Sequence, residues 1–300
     1  VTDAAVHPQL RRLARVVPRR GVGPRNLRPV RALARLVGPP LSRGVTTTTL
    51  DDGTRIRLHR PAGVTEPTPA LLWLHGGGYV LGTARQDDRL CRRFAEELGA
   101  TVAAVDYRFA PEHPYPAALD DAYAGLRWLA SLPGVDPTRV AVGGASAGGG
   151  LAAALALRAH DRGEHPLVLQ LLAYPMLDDR SAASPPDPRY RLWTPASNRF
   201  GWSCYLGDTD PATAVPARRG PLAGVAPAWI GVGTHDLFYA ENLTYAERLI
   251  AAAVDCHLEV VPGAFHGFDL LAPAKSVSRA FFASQCARLR AAFTVRNRGR

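Results

Sequence analysis

Short apolar runs bounded by glycine, proline and polar turns recur along this chain, and between them lie longer stretches with apolar residues at helical spacing. The runs near 45–50, 54–59, 70–75, 101–106, 139–143, 167–174, 228–233 and 257–261 have strand length. Stretches near 86–98, 116–131, 147–160, 241–254 and 277–293 read as helices. Strand and helix alternate from the second quarter onward, which predicts an α/β fold built on a mostly parallel sheet with helices on both faces. The pattern breaks at 181–215, a proline-rich stretch carrying Trp193, Phe200, Trp202 and Tyr205.

The junction of the run 139–143 with the Leu- and Ala-rich helix 151–159 is made of Gly144-Ala145-Ser146-Ala147-Gly148, followed by two more glycines. A strand-to-helix turn this tight needs residues with little side chain. It exposes the central serine at the end of a sheet, the geometry of a nucleophile elbow. The alternative is a glycine-rich connection in which Ser146 only caps the helix.

A hydroxyl nucleophile needs a base, and the base needs an orienting acid. His266 is the best-placed histidine downstream, in the loop 262–268 after the run 257–261. His165 lies in a polar connection and His257 within a strand, and His235 precedes the acid candidate. Asp236 follows the buried run 228–233, at the strand end where active-site groups gather in such sheets; its competing role is to cap the next helix. Glu241 is the second candidate acid. Asp269 is too near His266 in sequence to aim at the far ring nitrogen. Upstream, His75-Gly76-Gly77-Gly78 follows the run 70–74, and glycines there allow backbone amides to face a developing oxyanion.

With these pieces in place, the chain resembles the hormone-sensitive-lipase-like branch of α/β-hydrolases, the bacterial family IV esterases. The likeness rests on His75-Gly-Gly-Gly-Tyr79, Asp106-Tyr-Arg-Phe-Ala-Pro-Glu-His-Pro-Tyr-Pro116, Gly144-Ala-Ser-Ala-Gly-Gly149 and the segment from Asp236 to His266-Gly-Phe268. It covers the chain from about residue 45 to its end. The resemblance implies an eight-stranded α/β-hydrolase sheet with a small helical cap, and oxyanion donors at the amides of Gly77, Gly78 and Ala147. It also implies that 1–44 and about 181–215 form the cap, over a catalytic core of about 45–180 and 216–300 in one domain. Two positions depart from the family pattern. Ala145 stands where an aspartate usually precedes the nucleophile, which removes a local hydrogen-bonding brace, and Gly150 stands where asparagine is common.

Charge is lopsided. Residues 1–43 hold ten arginines against Asp3, while the remaining residues are close to neutral, and Lys275 is the only lysine. Leu10, Leu13, Val17, Leu33, Leu36 and Val37 fall at helical spacing in this segment. The resemblance implies that this segment packs as part of the cap, an arginine-rich arm for nucleic acid or anionic lipid being the alternative; no nucleic acid is expected as a partner. The arginine excess, with abundant Ala, Gly and Pro, reads as codon bias. Cys91, Cys204, Cys256 and Cys286 have no metal or redox spacing, which points to reduced thiols in a cytoplasmic protein. The first arginines precede no run of signal-peptide length, and the uncharged stretch 140–157 is too glycine-rich for a membrane span. His160 and His165 gather no third ligand, so no metal is expected, and the lone lysine excludes a phosphate-binding Walker loop.

The expected activity is that of a cofactor-free serine carboxylesterase acting on small to medium acyl esters. Ser146 is the nucleophile, His266 the proton relay and Asp236 its orienter. An amidase, deacetylase or lactonase would use the same triad, and a small-molecule receptor on the scaffold is the non-enzymatic alternative. Oligomeric state is left open, with a homodimer as one option.

Overall fold

In the computed structural model, which describes residues 5–19, 21–36 and 44–294, all eight expected strands form one sheet. They are β1 (Thr46–Thr49), β2 (Arg55–His59), β3 (Thr68–Leu74), β4 (Thr101–Asp106), β5 (Val135–Ala145), β6 (Leu167–Ala173), β7 (Ala228–Gly233) and β8 (Cys256–Val261). The spatial order is β1-β2-β4-β3-β5-β6-β7-β8. β1 and β2 are antiparallel to their neighbours, and β4 through β8 pair in parallel. β5 begins earlier than its apolar run because Val135 pairs with Thr68 before a register shift brings Val140 opposite Ala70.

The helices are α1 (Arg11–Val16), α2 (Leu27–Leu36), α3 (Asp88–Leu98), α4 (Ala117–Ser131), α5 (Ala147–Arg162), α6 (Pro195–Leu206), α7 (Pro211–Ala214), α8 (Tyr239–Ala251), α9 (Phe268–Leu271) and α10 (Ser276–Thr294). Alternation in β3 shows how the layers form. Leu72 and Leu74 join residues of α4, α5 and α8 in one core, whereas Leu71 and Trp73 join α3 and α10 in the other. All seven β3 residues are buried, as a central parallel strand requires.

Two segments outside the alternation meet above the carboxyl ends of the parallel strands. The Leu192 amide donates to the Pro18 carbonyl at 2.9 Å, and Arg191 Nε donates to the Ala14 carbonyl at 2.9 Å. Leu10, Ala14 and Val17 are buried, whereas Leu33 is 59% exposed. The expected inward face of α2 is therefore corrected at Leu33. Its inward group is Arg31, whose guanidinium donates to the carbonyls of Val80 (2.7 Å) and Ala110 (2.8 Å) and pairs with Glu112. Backbone carbonyls of two loops attract a cation there more than they would a leucine. Val37, the Leu36 side chain and the rest of 37–43 lie outside the described residues.

Candidate active site

Four loops leave the carboxyl ends of parallel strands on the same edge of the sheet: 75–82 after β3, Ser146 after β5, Thr234–Asp236 after β7 and 262–267 after β8. Ser146 takes φ +57° and ψ −121° at the head of α5. A non-glycine residue is strained in that region, and the strain lifts the side chain out of the turn. Backbone bonds hold the turn: the Ser146 amide donates to the Ala173 carbonyl (2.9 Å), and the Ser146 carbonyl accepts from the Met176 (3.0 Å) and Gly150 (3.0 Å) amides. These bonds brace the elbow where Ala145, packed in the apolar core, supplies no polar group. Gly150 is also dictated by packing, since a Cβ there would overlap the Met176 carbonyl and the Tyr79 hydroxyl.

The structure brings Ser146, His266 and Asp236 together across 120 residues of sequence. Ser146 Oγ lies 2.9 Å from His266 Nε2, and Asp236 Oδ2 lies 2.8 Å from His266 Nδ1. An ionised aspartate only accepts, so Nδ1 carries the ring proton and Nε2 is left to accept from the serine hydroxyl. Asp236 Oδ1 accepts from the Phe238 amide at 2.9 Å. The carboxylate thus both orients the ring and holds its own turn. All three residues are buried, with Ser146 and His266 each 7% exposed.

Glu241 is elsewhere. Its Oε1 accepts from the amides of Leu177 (2.7 Å) and Asp178 (3.2 Å), so it supports the chain after the elbow and does not reach His266. Burial pushes its carboxyl well above the ordinary range. Asp269 accepts from the Tyr174 hydroxyl at 2.8 Å. His257 faces Glu259 at 3.4 Å, and His165 stands edge-on to Tyr123. His235 is buried, with its amide donating to the Ala264 carbonyl.

The 75–82 loop comes beside Ser146: a Cβ on Gly76 would stand 3.4 Å from Ser146 Cβ. Gly77 and Gly78 take φ +139° and +59°, values that side chains resist. Among the described residues the amides of Gly77, Gly78 and Ala147 donate to no protein acceptor. Ala147 opens α5, so its amide also carries the positive end of that helix. His75 is buried, and that burial lowers its pKa; its ring stacks on Tyr107 at 4.3 Å. Tyr107 donates to the His75 carbonyl at 2.8 Å, and the Ala110 amide donates to the Tyr79 carbonyl at 3.0 Å. The Asp106–Pro116 stretch therefore serves the glycine loop as a brace. Arg31, absent from the sequence-level site, ties both stretches to α2.

From above, Leu192 and Trp193 close on the same groups. A Cβ on Gly78 would overlap the Trp193 indole, and one on Gly267 would lie 3.2 Å from Leu192 Cδ1. Trp193 Nε1 donates to Asn198 Oδ1 at 3.1 Å, and Asn198 Nδ2 donates to Ser181 Oγ at 2.9 Å. A separate 280 Å³ cavity is lined by Asp87, Asp269, Ser278 and Phe282 but by none of the three residues at the elbow. Among the described residues no cluster of three His, Cys, Asp or Glu side chains is arranged for a metal, and no helix is long and apolar enough to cross a membrane.

Known proteins are similar to this chain over most of its length. A family profile described as alpha/beta hydrolase fold matches residues 71–270. Carboxylesterase NlhH of Mycobacterium tuberculosis is 38% identical over 235 residues, 73% of each chain. Ethyl acetate hydrolase of Pseudomonas putida is 37% identical over 226 residues, 71% of this chain and 70% of that one. Among solved structures, bacterial heroin esterase superposes with a TM-score of 0.89 at 35% identity, covering 98% of this chain and 100% of the other.

Proposed function

This chain belongs to the hormone-sensitive-lipase-like branch of the alpha/beta-hydrolase fold family, and from that premise we propose that it is a serine carboxylesterase for small to medium acyl esters. The observation that carries this reading is the unbroken line from Asp236 through His266 to Ser146, with both hydrogen bonds under 3 Å. Its relatives named carboxylesterase and ethyl acetate hydrolase support the ester as the bond attacked.

In this reading His266 Nε2 takes the proton as Ser146 Oγ adds to the ester carbonyl. The imidazolium is stabilised by Asp236 through Nδ1–H. The carbonyl oxygen, now an oxyanion, receives the amides of Gly77, Gly78 and Ala147, each typically worth about a hundred- to a thousand-fold in rate. Collapse of the tetrahedral adduct breaks the bond to the alcohol, which leaves with the proton from His266. Water then gives a proton to His266 and adds to the acyl-enzyme carbonyl, and the carboxylic acid departs as Ser146 recovers its proton. One chain supplies every group.

The two segments that meet through Leu192 and Pro18 are read as a cap over Ser146, made from the N-terminal residues and from about 181–215. All four cysteines are unpaired, which supports a reducing, cytoplasmic setting. The test is fluorophosphonate labelling with hydrolysis of matched p-nitrophenyl esters and p-nitroanilides. Wild type should be labelled and should prefer the ester, while Ser146→Ala should be unlabelled and lose at least about 10⁴ in rate. Faster anilide than ester hydrolysis would make the protein an amidase. Activity retained in Ser146→Ala would overturn the triad.

A further inference from the structure

Two aromatic rings meet the His266 imidazole at steep angles, Phe238 at a centroid distance of 5.2 Å and Tyr174 at 4.9 Å. Phe238 belongs to the turn of Asp236. Tyr174 reaches His266 from the nucleophile's side. It directly follows β6, whose last residue, Ala173, accepts the Ser146 amide, and its own amide donates to the Gly231 carbonyl at 2.6 Å. Its φ is +37°, a conformation that bulky side chains disfavour. The phenol that this conformation presents donates to Asp269 Oδ1 at 2.8 Å. Asp269 stands three residues beyond His266, in the first turn of α9. One hydrogen bond thus ties the backbone that carries the base to the backbone that holds the nucleophile.

We propose that Tyr174 and Asp269 are a positioning pair that fixes the His266 imidazole against Ser146. The proposal rests on the reading of His266 as the general base. Neither residue shares a proton with the triad; they act through the place of the ring. Proton transfer needs Nε2 in line with Oγ, and a shift of about 1 Å can cost a hundred-fold. Burial holds the Tyr174 phenol far above its ordinary pKa, so the hydroxyl stays a donor wherever the enzyme would work. The ring itself packs parallel to Phe281 at 6.2 Å and is almost fully buried. Tyr174→Phe therefore removes the bond and leaves the packing.

The experiment compares Tyr174→Phe, Asp269→Ala, their double variant and Asp269→Asn in steady-state p-nitrophenyl acetate hydrolysis and in the rate of fluorophosphonate labelling. Each single loss of the bond should lower kcat and the labelling rate about tenfold. The double variant should fall no further than the worse single, because both remove one interaction. Asp269→Asn keeps an acceptor for the phenol and should recover to within about threefold of wild type. Tyr174→Phe at wild-type rates, multiplicative losses in the double variant, or Asp269→Asn as impaired as Asp269→Ala would each overturn the proposal. Ser146→Ala assayed alongside separates the two readings. If it is dead while Tyr174→Phe is normal, only the positioning pair fails; if it stays active, the triad reading fails with it.

Discussion

The Trp193 indole lies directly on Gly78, so closely that one added methyl group at position 78 would enter the ring. The same two-residue stretch sets Leu192 against Gly267, the residue after His266. One tight turn, with Leu192 at φ +63° and the Trp193 amide donating to the Arg191 carbonyl at 2.7 Å, therefore roofs both the glycine loop and the loop that carries His266. That roof is held on its outer side by the bonds from Arg191 and Leu192 to Ala14 and Pro18.

Chain length should follow from that roof. Activity is expected to be higher on acyl chains of about two to eight carbons than on sixteen-carbon ones, and Trp193→Ala should move the optimum toward longer chains by removing most of a ring-sized volume. An acyl-length series at matched solubility measures it. An unchanged profile in the variant would mean that Trp193 does not bound the acyl site.

Removing the N-terminal segment should strip the roof of its anchor. Deletion of residues 1–43 is expected to change acyl selectivity or abolish activity. Arg31→Ala alone should lower stability by about 1–3 kcal/mol, because two loop carbonyls and Glu112 lose a charged donor. Urea titration and ester kinetics check both. A truncated enzyme with wild-type kinetics on every ester would refute the cap.

The two acids near the elbow should separate by function. Asp236→Asn is expected to cost roughly 10⁴ in kcat/KM by disturbing the tautomer and orientation of His266. Glu241→Gln keeps the acceptor for the Leu177 and Asp178 amides. It should be nearly silent in rate, while Glu241→Ala should destabilise by about 1–3 kcal/mol. A rate loss in Glu241→Gln comparable to that of Asp236→Asn would reverse the assignment.

Asp87 should make stability fall as pH rises. Burial raises its carboxyl from the ordinary 3.8 to about 7, against the partial relief of the Trp73 indole bond at 2.8 Å. Near pH 3.8 and below, folded and unfolded chains both carry it neutral. Between that pH and about 7 only the folded chain keeps the proton, so each unit of pH favours unfolding, and above about 7 the loss is complete. The full loss is on the order of 4 kcal/mol. Asp87→Asn retains an acceptor for Trp73 without the charge. Its advantage over wild type in thermal melts should grow across that window and level off beyond it; a constant difference from pH 4 to 8 would count against the buried charge.

Local pattern alone determined the layers of this protein and marked the residues proposed for its chemistry. Eight strand-length segments became eight strands and five helix-length stretches became helices, because strand and helix periodicities are written over neighbouring residues. Ser146 was legible for the same reason: its turn must be small and strained, and the glycines that permit this adjoin it. Contacts between distant segments decided the rest. Asp236 and Glu241 both follow β7 and both are candidate partners for His266, and only packing turned one toward His266 and the other toward the 177–178 amides. Leu33 was expected inside and lies outside, since helical spacing defines a face but not which way that face turns. Tyr174 had no signal beyond ending a strand. Its meaning depends on Asp269, which comes 95 residues later and meets it only when β6 and the loop after β8 reach the same edge of the sheet. Sequence sets which residues can do chemistry, while tertiary structure sets which of them touch.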